Sequence, residues 1–404
     1  MFSRGSRFAA LAVAALVVTG CGSSVNGSSA PAELDVRTLD VGKYATDPLE
    51  MRYTYNPDLG MGTSLALMRL ANQVVAGPDI DPNFKYGTGF EPFVDAEGAT
   101  EMLADDTAPV LESNKLLFGL SVGHAEQPID KSGKAPDGTP FTTVTVMQFP
   151  DEAAANRAAA GIDEADFAFA AGENQKLSVP KYPAAHAHWR PGVPTIGSTM
   201  ARGSYVISIF AGVKEADSTQ LTALVEKIYN AQAPLLDALK PLSREDILRM
   251  PYDPDGMLRQ TLNADGIGIP DFESHAVFEL RGFLHMTGEQ DYWSRVMKDS
   301  GVDRYSFSKS MSNYSRLFRA RDAEAAGKLA SVILDKSYPG VADAPAGVPG
   351  AECGETTAKN DYSTKRFRCV LTYRNYVATV EGDQIGDAHQ RAAAQYALLA
   401  NSTW

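Results

Sequence analysis

An α+β fold of two related domains, each with antiparallel sheet segments and packed helices, is what this 404-residue sequence predicts. Three observations carry that expectation. The length exceeds what one ordinary core serves and suits two domains. Segments rich in β-branched and aromatic residues run directly into Ala-rich helices, once in each half. Short hairpins then separate that helix from another, which requires antiparallel pairing rather than the crossovers of a doubly wound sheet.

The elements follow in chain order. Residues 142–149 (TTVTVMQF) alternate as a strand, and Pro150-Asp151 opens an Ala-rich helix through Ala160 with acids in its first turn. Residues 198–202 and 204–210 read as a strand pair around Gly203. Asp217 or Ser218 caps a helix with Leu221, Leu224, Val225 and Ile228 on one stripe, and Pro234 is expected to end or bend it.

The second half repeats this grammar. Residues 315–320 are strand-like, and Arg321-Asp322 opens a helix with Ala323, Ala326, Leu329, Ala330 and Ile333 on one face. The segment FPDEAAANRAA of the first half answers RARDAEAAGKLA of the second. Residues 367–373 and 376–380 form a hairpin around Arg374-Asn375, and a last helix aligns Ile385, Ala388, Ala392, Tyr396 and Leu399. Each half thus closes strand, helix, hairpin, helix. A helix ending before Pro241 and a capping signal at Ser243 (SRED) place the boundary, giving domains at 34–240 and 241–404.

The N-terminus carries an address. Arg4 and Arg7 precede an apolar stretch over 8–18, too short for the roughly 20 residues of a membrane-spanning helix. It ends in Val18-Thr19-Gly20-Cys21, the form of a leader cut before Cys21. Residues 1–20 therefore read as a lipoprotein signal peptide, and 21–33, rich in Gly and Ser, as a flexible tether. No other segment is long and apolar enough to cross a bilayer. With Cys21 taken, Cys353 and Cys369 remain as an even pair and are expected to form a disulfide in an oxidising compartment.

Charge narrows the function classes. The chain has 37 Lys plus Arg against 50 Asp plus Glu, a net charge of -13 that argues against nucleic acid. Losing the two leader arginines takes the mature chain to -15, so anionic headgroups repel the body and attachment falls to the lipid.

The sequence resembles an uncharacterised family of two-domain secreted lipoproteins of mycobacteria, nocardiae and related actinobacteria. The residues that carry the likeness follow the lipobox: Leu39-Asp40-Val41-Gly42-Lys43-Tyr44 with Thr46 and Pro48, then 68–82 (MRLANQVVAGPDIDP). In the second half they are 253–258 (DPDGML), Arg281-Gly282, Leu284-His285, Gly301-Val302-Asp303 and the RARDAEAA helix start. The resemblance implies a lipidated Cys21 and supplies no catalytic residues. The order of elements is also similar to that of extracellular sensor domains of mycobacterial serine/threonine kinases.

Candidate chemistry is sparse, and no catalytic, metal or cofactor site is assigned. His186 and His188 (HAHW) share a face if extended, but no third ligand lies nearby and Pro183 and Pro191 suggest a loop. Asp79/Asp81 and Asp253/Asp255-Gly256 make better turns than calcium loops, since Leu262 falls where a bidentate glutamate is required. Ser306 to Lys309 spells S-x-x-K, with its companion Lys131-Ser132-Gly133 in the wrong chain order. Sixteen tyrosines and 17 phenylalanines suit two aromatic cores better than one ligand cleft.

The expected protein is a lipid-anchored, extracytoplasmic cell-envelope protein that binds, senses or scaffolds, with an unidentified envelope ligand or protein as partner. The alternatives are a solute-binding lipoprotein, which predicts parallel β-α-β crossovers, and an envelope hydrolase with a dispersed site. Replacing Cys21→Ser is predicted to release the protein from membranes, because the acyl chains supply the attachment. A variant that still fractionates with membranes and resists alkaline extraction contradicts the anchor.

Overall fold

The computed structural model describes residues 34–48, 57–266, 268–310, 313–356 and 365–402. The leader, Cys21 and all but the last residues before Val36 lie outside them. Residues 36–404 form one compact unit. In its first half come α1 (Leu59–Ala71), α2 (Gly77–Ile80), β1 (Tyr86–Phe93), α3 (Ala96–Thr100), α4 (Ala108–Ser113), β2 (Phe118–Ala125) and β3 (Phe141–Gln148). There follow α5 (Glu152–Ala168), β4 (Gln175–Lys176), β5 (His186–Trp189), β6 (Thr195–Arg202), β7 (Tyr205–Gly212), α6 (Ser218–Asp237) and α7 (Arg244–Leu248). The second half holds α8 (Met257–Gln260), β8 (His275–Phe278), α9 (Leu280–His285), α10 (Gln290–Asp299), β9 (Arg304–Ser310) and β10 (Asn313–Arg319). It closes with α11 (Ala323–Ser337), β11 (Gly340–Ala342), β12 (Glu352–Glu355), β13 (Phe367–Tyr373), β14 (Tyr376–Gly382) and α12 (Ile385–Asn401).

The strands make two sheets of seven, ordered β1-β2-β3-β7-β6-β5-β4 and β8-β9-β10-β14-β13-β12-β11. The two orders are the same path through corresponding strands. Every strand pairing among the described residues is antiparallel. The α+β class with two related halves is therefore observed.

The likeness extends to register. The hairpin β6–β7 closes on Arg202 opposite Tyr205, and β13–β14 closes on Tyr373 opposite Tyr376. Each turn has two residues, the first at positive φ, 57° at Gly203 and 54° at Arg374. Glycine adopts that conformation freely, whereas Arg374 does so at a steric cost. Across the sheet, Gln148 of β3 faces Tyr205, and Arg319 of β10 faces Tyr376. Three residues beyond each of these strand ends an aspartate caps the next helix. Asp151 accepts from Ala154 N at 2.7 Å, and Asp322 from Ala325 N at 2.8 Å.

Period-two alternation gives each sheet two faces. On one face of the first sheet, α5 lays Ala154, Ala155, Ala158, Ala159 and Ile162 against Met147, Phe149 and Val206. On the other, α6 buries Leu221, Val225 and Ile228 with Val144, Val146, Ile207 and Ile209. That core continues without a break through α1 and α9 to Phe307, Phe318 and Leu329 of the second half. Each large side chain so buried stabilises the fold by about 1.5–3 kcal/mol. Polar contacts pin the same junction: Asn72 Oδ1 accepts from Glu279 N at 2.8 Å, and Gln290 Oε1 from Gly77 N at 2.8 Å.

Two expectations need correction. Pro234 does not end its helix; it sits inside α6, which runs to Asp237. Only one further turn follows it, and Leu236 and Leu239 bury there, which holds the turn despite the missing N–H. Residues 186–189 form the strand β5 rather than a loop, because pairing with β6 on one side and β4 on the other satisfies their backbone between the two prolines. The opening segment, in turn, lies along the last helix. Tyr44 Oη donates to Asp387 at 2.5 Å, Arg391 stacks on the Tyr44 ring at 4.7 Å, and Asn401 donates to Thr46 O at 2.8 Å.

Cys353 and Cys369 stand directly opposite each other on β12 and β13 and are joined. On the chain-entropy account, closing a loop of this size stabilises by about 3 kcal/mol. A Cys353→Ala/Cys369→Ala double variant is therefore predicted to lose amide-exchange protection in the second half more than in the first. Equal protection in both halves, or no loss at all, contradicts a structural role for the bond.

Candidate functional site

The strongest site is a cleft of about 300 Å³ on the α5 face of the first sheet, roofed by the segment from Glu101 to Thr107. Its floor is two rows of side chains set by the register. One row runs Thr145, Ser208, Thr199 across β3, β7 and β6; the next runs Thr143, Phe210, Gly197 and then His188 of β5. Thr145 is used internally, bonded to Ser121 Oγ at 2.9 Å. The hydroxyls of Thr143, Thr199 and Ser208 line the cleft and have no side-chain partner among the described residues. Phe210 leaves 51% of its surface exposed and packs edge-on to Phe141 at 5.3 Å. Met102, Leu103 and Ile162 give the cleft its apolar wall.

One end of the cleft is closed by an ionic clamp. Asp163 and Asp166 lie three apart on α5 and so point the same way. His188 Nδ1 is 2.8 Å from Asp163 Oδ1, and its Nε2 is 3.5 Å from Asp166 Oδ2. Lys176 of β4 completes the group on Asp163. Burial opposes charging the imidazole, but the two carboxylates outweigh it and lift its pKa to about 9. Burial likewise works against the Asp163 carboxylate, and the bonds from His188 and Lys176 overcome it and hold its pKa below the usual range. Gly197 makes the clamp possible: a Cβ there would meet Asp166 Oδ2 and His188 Cε1, both at 3.2 Å. With both ring nitrogens committed to carboxylates, His188 is a cationic strut and not a free base.

Three other histidines are the opposite case. His124 and His285 face each other across the junction of the halves, ring centroids 6.4 Å apart, with His285 Nε2 3.1 Å from Ala71 O. Burial depresses both, to about 3 and about 4. Burial also lowers His275, to about 4.

The remaining sequence candidates have structural employment. Asp253 accepts from Leu258 N and Arg259 N at 2.8 and 3.0 Å, and Asp81 holds Lys227, as turn and pairing residues. Ser306 is buried against Thr261 and Met257 O, and lies on the opposite face of β9 from Lys309, so S-x-x-K cannot act as a pair. His389 lies within 4.8 Å of Cys353 and Cys369, but their sulfurs are bonded to each other. Sequence reasoning found HAHW and missed its partners, which lie 25 and 22 residues earlier; the i, i+3 aspartates of α5 were the available signal.

The two kinds of histidine predict a stability maximum near neutrality. Unfolded histidines titrate near 6.5. Below that the unfolded chain takes up protons that His124, His275 and His285 refuse until about 3–4, so stability falls with falling pH. His188 runs the other way: its contribution is full below about 6.5 and lost as pH rises through about 9. Denaturant midpoints between pH 4 and 10 are expected to show both limbs, and His188→Gln to remove the decline between 6.5 and 9. An unchanged alkaline limb in that variant contradicts the clamp.

Comparison with known proteins agrees with the two-part organisation. The family model described as domain of unknown function (DUF7373) N-terminal matches residues 53–252, and its C-terminal counterpart matches 257–402. No curated protein matches the chain. Among solved structures, the extracellular domain of PknH from Mycobacterium tuberculosis aligns at a TM-score of 0.28 and 10% identity, covering 46% of this chain and 100% of that one. From the two family matches, which together span most of its length, the chain belongs to the two-part DUF7373 family.

Proposed function

We propose that this chain is a lipid-anchored protein of the extracytoplasmic face of an actinobacterial cell membrane, and that it works by holding a ligand in the cleft beside His188. The anchoring is supported by the short leader ending at Cys21, and the compartment by the bonded Cys353 and Cys369. The observation that carries the binding reading is the cleft's own chemistry. Three hydroxyls with no side-chain partner among the described residues line it, while the one imidazole in that lining bonds Asp163 and is ion-paired with Asp166. Such a site offers recognition and no activated nucleophile: Ser198, the serine nearest the clamp in register, bonds His186 O and Tyr229 Oη through the sheet's other face. The antiparallel sheets also differ from the parallel crossovers expected of a solute-binding lipoprotein.

Stabilisation by ligand is the direct test, since whatever prefers the native state raises its stability. An envelope extract is expected to raise the melting temperature of the full chain, and Phe210→Ala to abolish the rise. Serine- and cysteine-directed probes are expected to leave the protein unlabelled. Stoichiometric labelling of one serine, or one tightly held zinc with an open position, would replace binding by turnover.

A further inference from the structure

We infer that the cleft takes an uncharged saccharide; this rests on the reading of the cleft as the binding site. A saccharide ring presents apolar C–H faces and a rim of hydroxyls, each both donor and acceptor. The cleft offers the complement of each part. The half-exposed Phe210 ring is a platform for a C–H face, held in place by Phe141. Around it stand the hydroxyls of Thr143, Thr199 and Ser208, which can donate and accept in turn. Asp166, its side chain 49% exposed, supplies an acceptor at the clamped end, where a ligand hydroxyl would gain a charge-assisted bond.

The same geometry turns anions away. The one cation lining the wall among the described residues, His188, donates to Asp163 and is ion-paired with Asp166 at 3.5 Å, and Lys176 beside it is paired with Asp163. The exposed carboxylate of Glu101 and the half-exposed one of Asp166 add repulsion for a phosphate or a uronate. At about 300 Å³ the cleft is at the small end of ligand pockets, a size for a single short saccharide unit and not a long polymer.

The second half shows that the fold itself does not demand this arrangement. Counted from the hairpins, Glu381 occupies the position of Phe210, Thr379 that of Ser208, Arg368 that of Gly197 and Arg316 that of Thr145. There the equivalent floor is filled: Glu381 Oε1 accepts from Arg316 at 2.7 Å and Arg368 at 2.5 Å, and the Arg368 guanidinium stacks on Tyr338 at 4.3 Å. One framework thus carries an ion ladder at one copy of the site and unpartnered hydroxyls around an exposed ring at the other.

The test is calorimetry and ligand-observed NMR on the full chain in detergent. The probes are glucose, mannose, N-acetylglucosamine, maltose, trehalose and chitobiose, with glucose 6-phosphate and glucuronate as charged counterparts. At least one uncharged sugar is expected to bind. Phe210→Ala and the near-isosteric Thr199→Val are each expected to weaken it tenfold or more at unchanged melting temperature, and the charged counterparts to bind at least tenfold more weakly. Silence across the neutral panel, or preference for glucose 6-phosphate, overturns the inference. If the panel is silent and spermidine binds in a Phe210-dependent way, the cleft stands as a binding site and the ligand class is wrong. Sugar binding untouched by both variants overturns the cleft itself.

Discussion

The register set by two short hairpins is the constraint on which the rest of the molecule depends. In a strand, a slip of one residue sends every side chain to the opposite face. Closing β6–β7 on Arg202 and Tyr205 aims Ser208, Phe210 and Thr199 at the α5 face and leaves Ile207 and Ile209 for α6. Closing β13–β14 on Tyr373 and Tyr376 does the same work for Glu381 and Thr379. The turn chemistry differs, Gly203 against Arg374, yet the register is the same. Arg374 stays in its costly conformation because the neighbouring Asn375 is tied to Ala320 through both its carbonyl and its side-chain amide.

Histidine is used in two opposite ways in this chain, and the difference lies in what each ring meets on burial. Burial alone penalises the charged form, as at His124, His275 and His285. Adding two carboxylates reverses the balance at His188. The neutral pair sits where the halves join, and the charged one closes a cleft. The second half meets the problem of a buried charge differently, giving Glu381 two guanidinium partners stacked on the Tyr314 and Tyr338 rings. Leaving any one member of such a group unpaired in the interior costs more than the intact group contributes.

What the sequence by itself determined is the local part of the fold. Alternation and helical stripes located β3, β6, β7, β10, β13 and β14 and the four long helices that follow them. Asp151, Asp217, Asp322 and Ser243 marked helix starts because a capping side chain reaches only three residues along the chain. The repeated strand, helix, hairpin, helix order was legible for the same reason. The edge strand β1 and the short strands β5 and β12 were not, since their pairing partners, rather than their own propensity, make them strands.

Only the tertiary structure decided the rest. Asp163, Asp166 and Lys176 meet His188 because α5 and β5 pack on the same face, a proximity that no spacing in the chain encodes. Ser306 and Lys309 look like partners in sequence and are separated by the thickness of a strand. The equivalent floors of the two sheets diverged into an open cleft and a filled ion ladder while the strand order stayed common. Local order follows from short-range sterics and hydrogen bonding, which a reader of residues can follow. A site follows from which faces meet across the fold, and that is set by the burial of the whole chain at once.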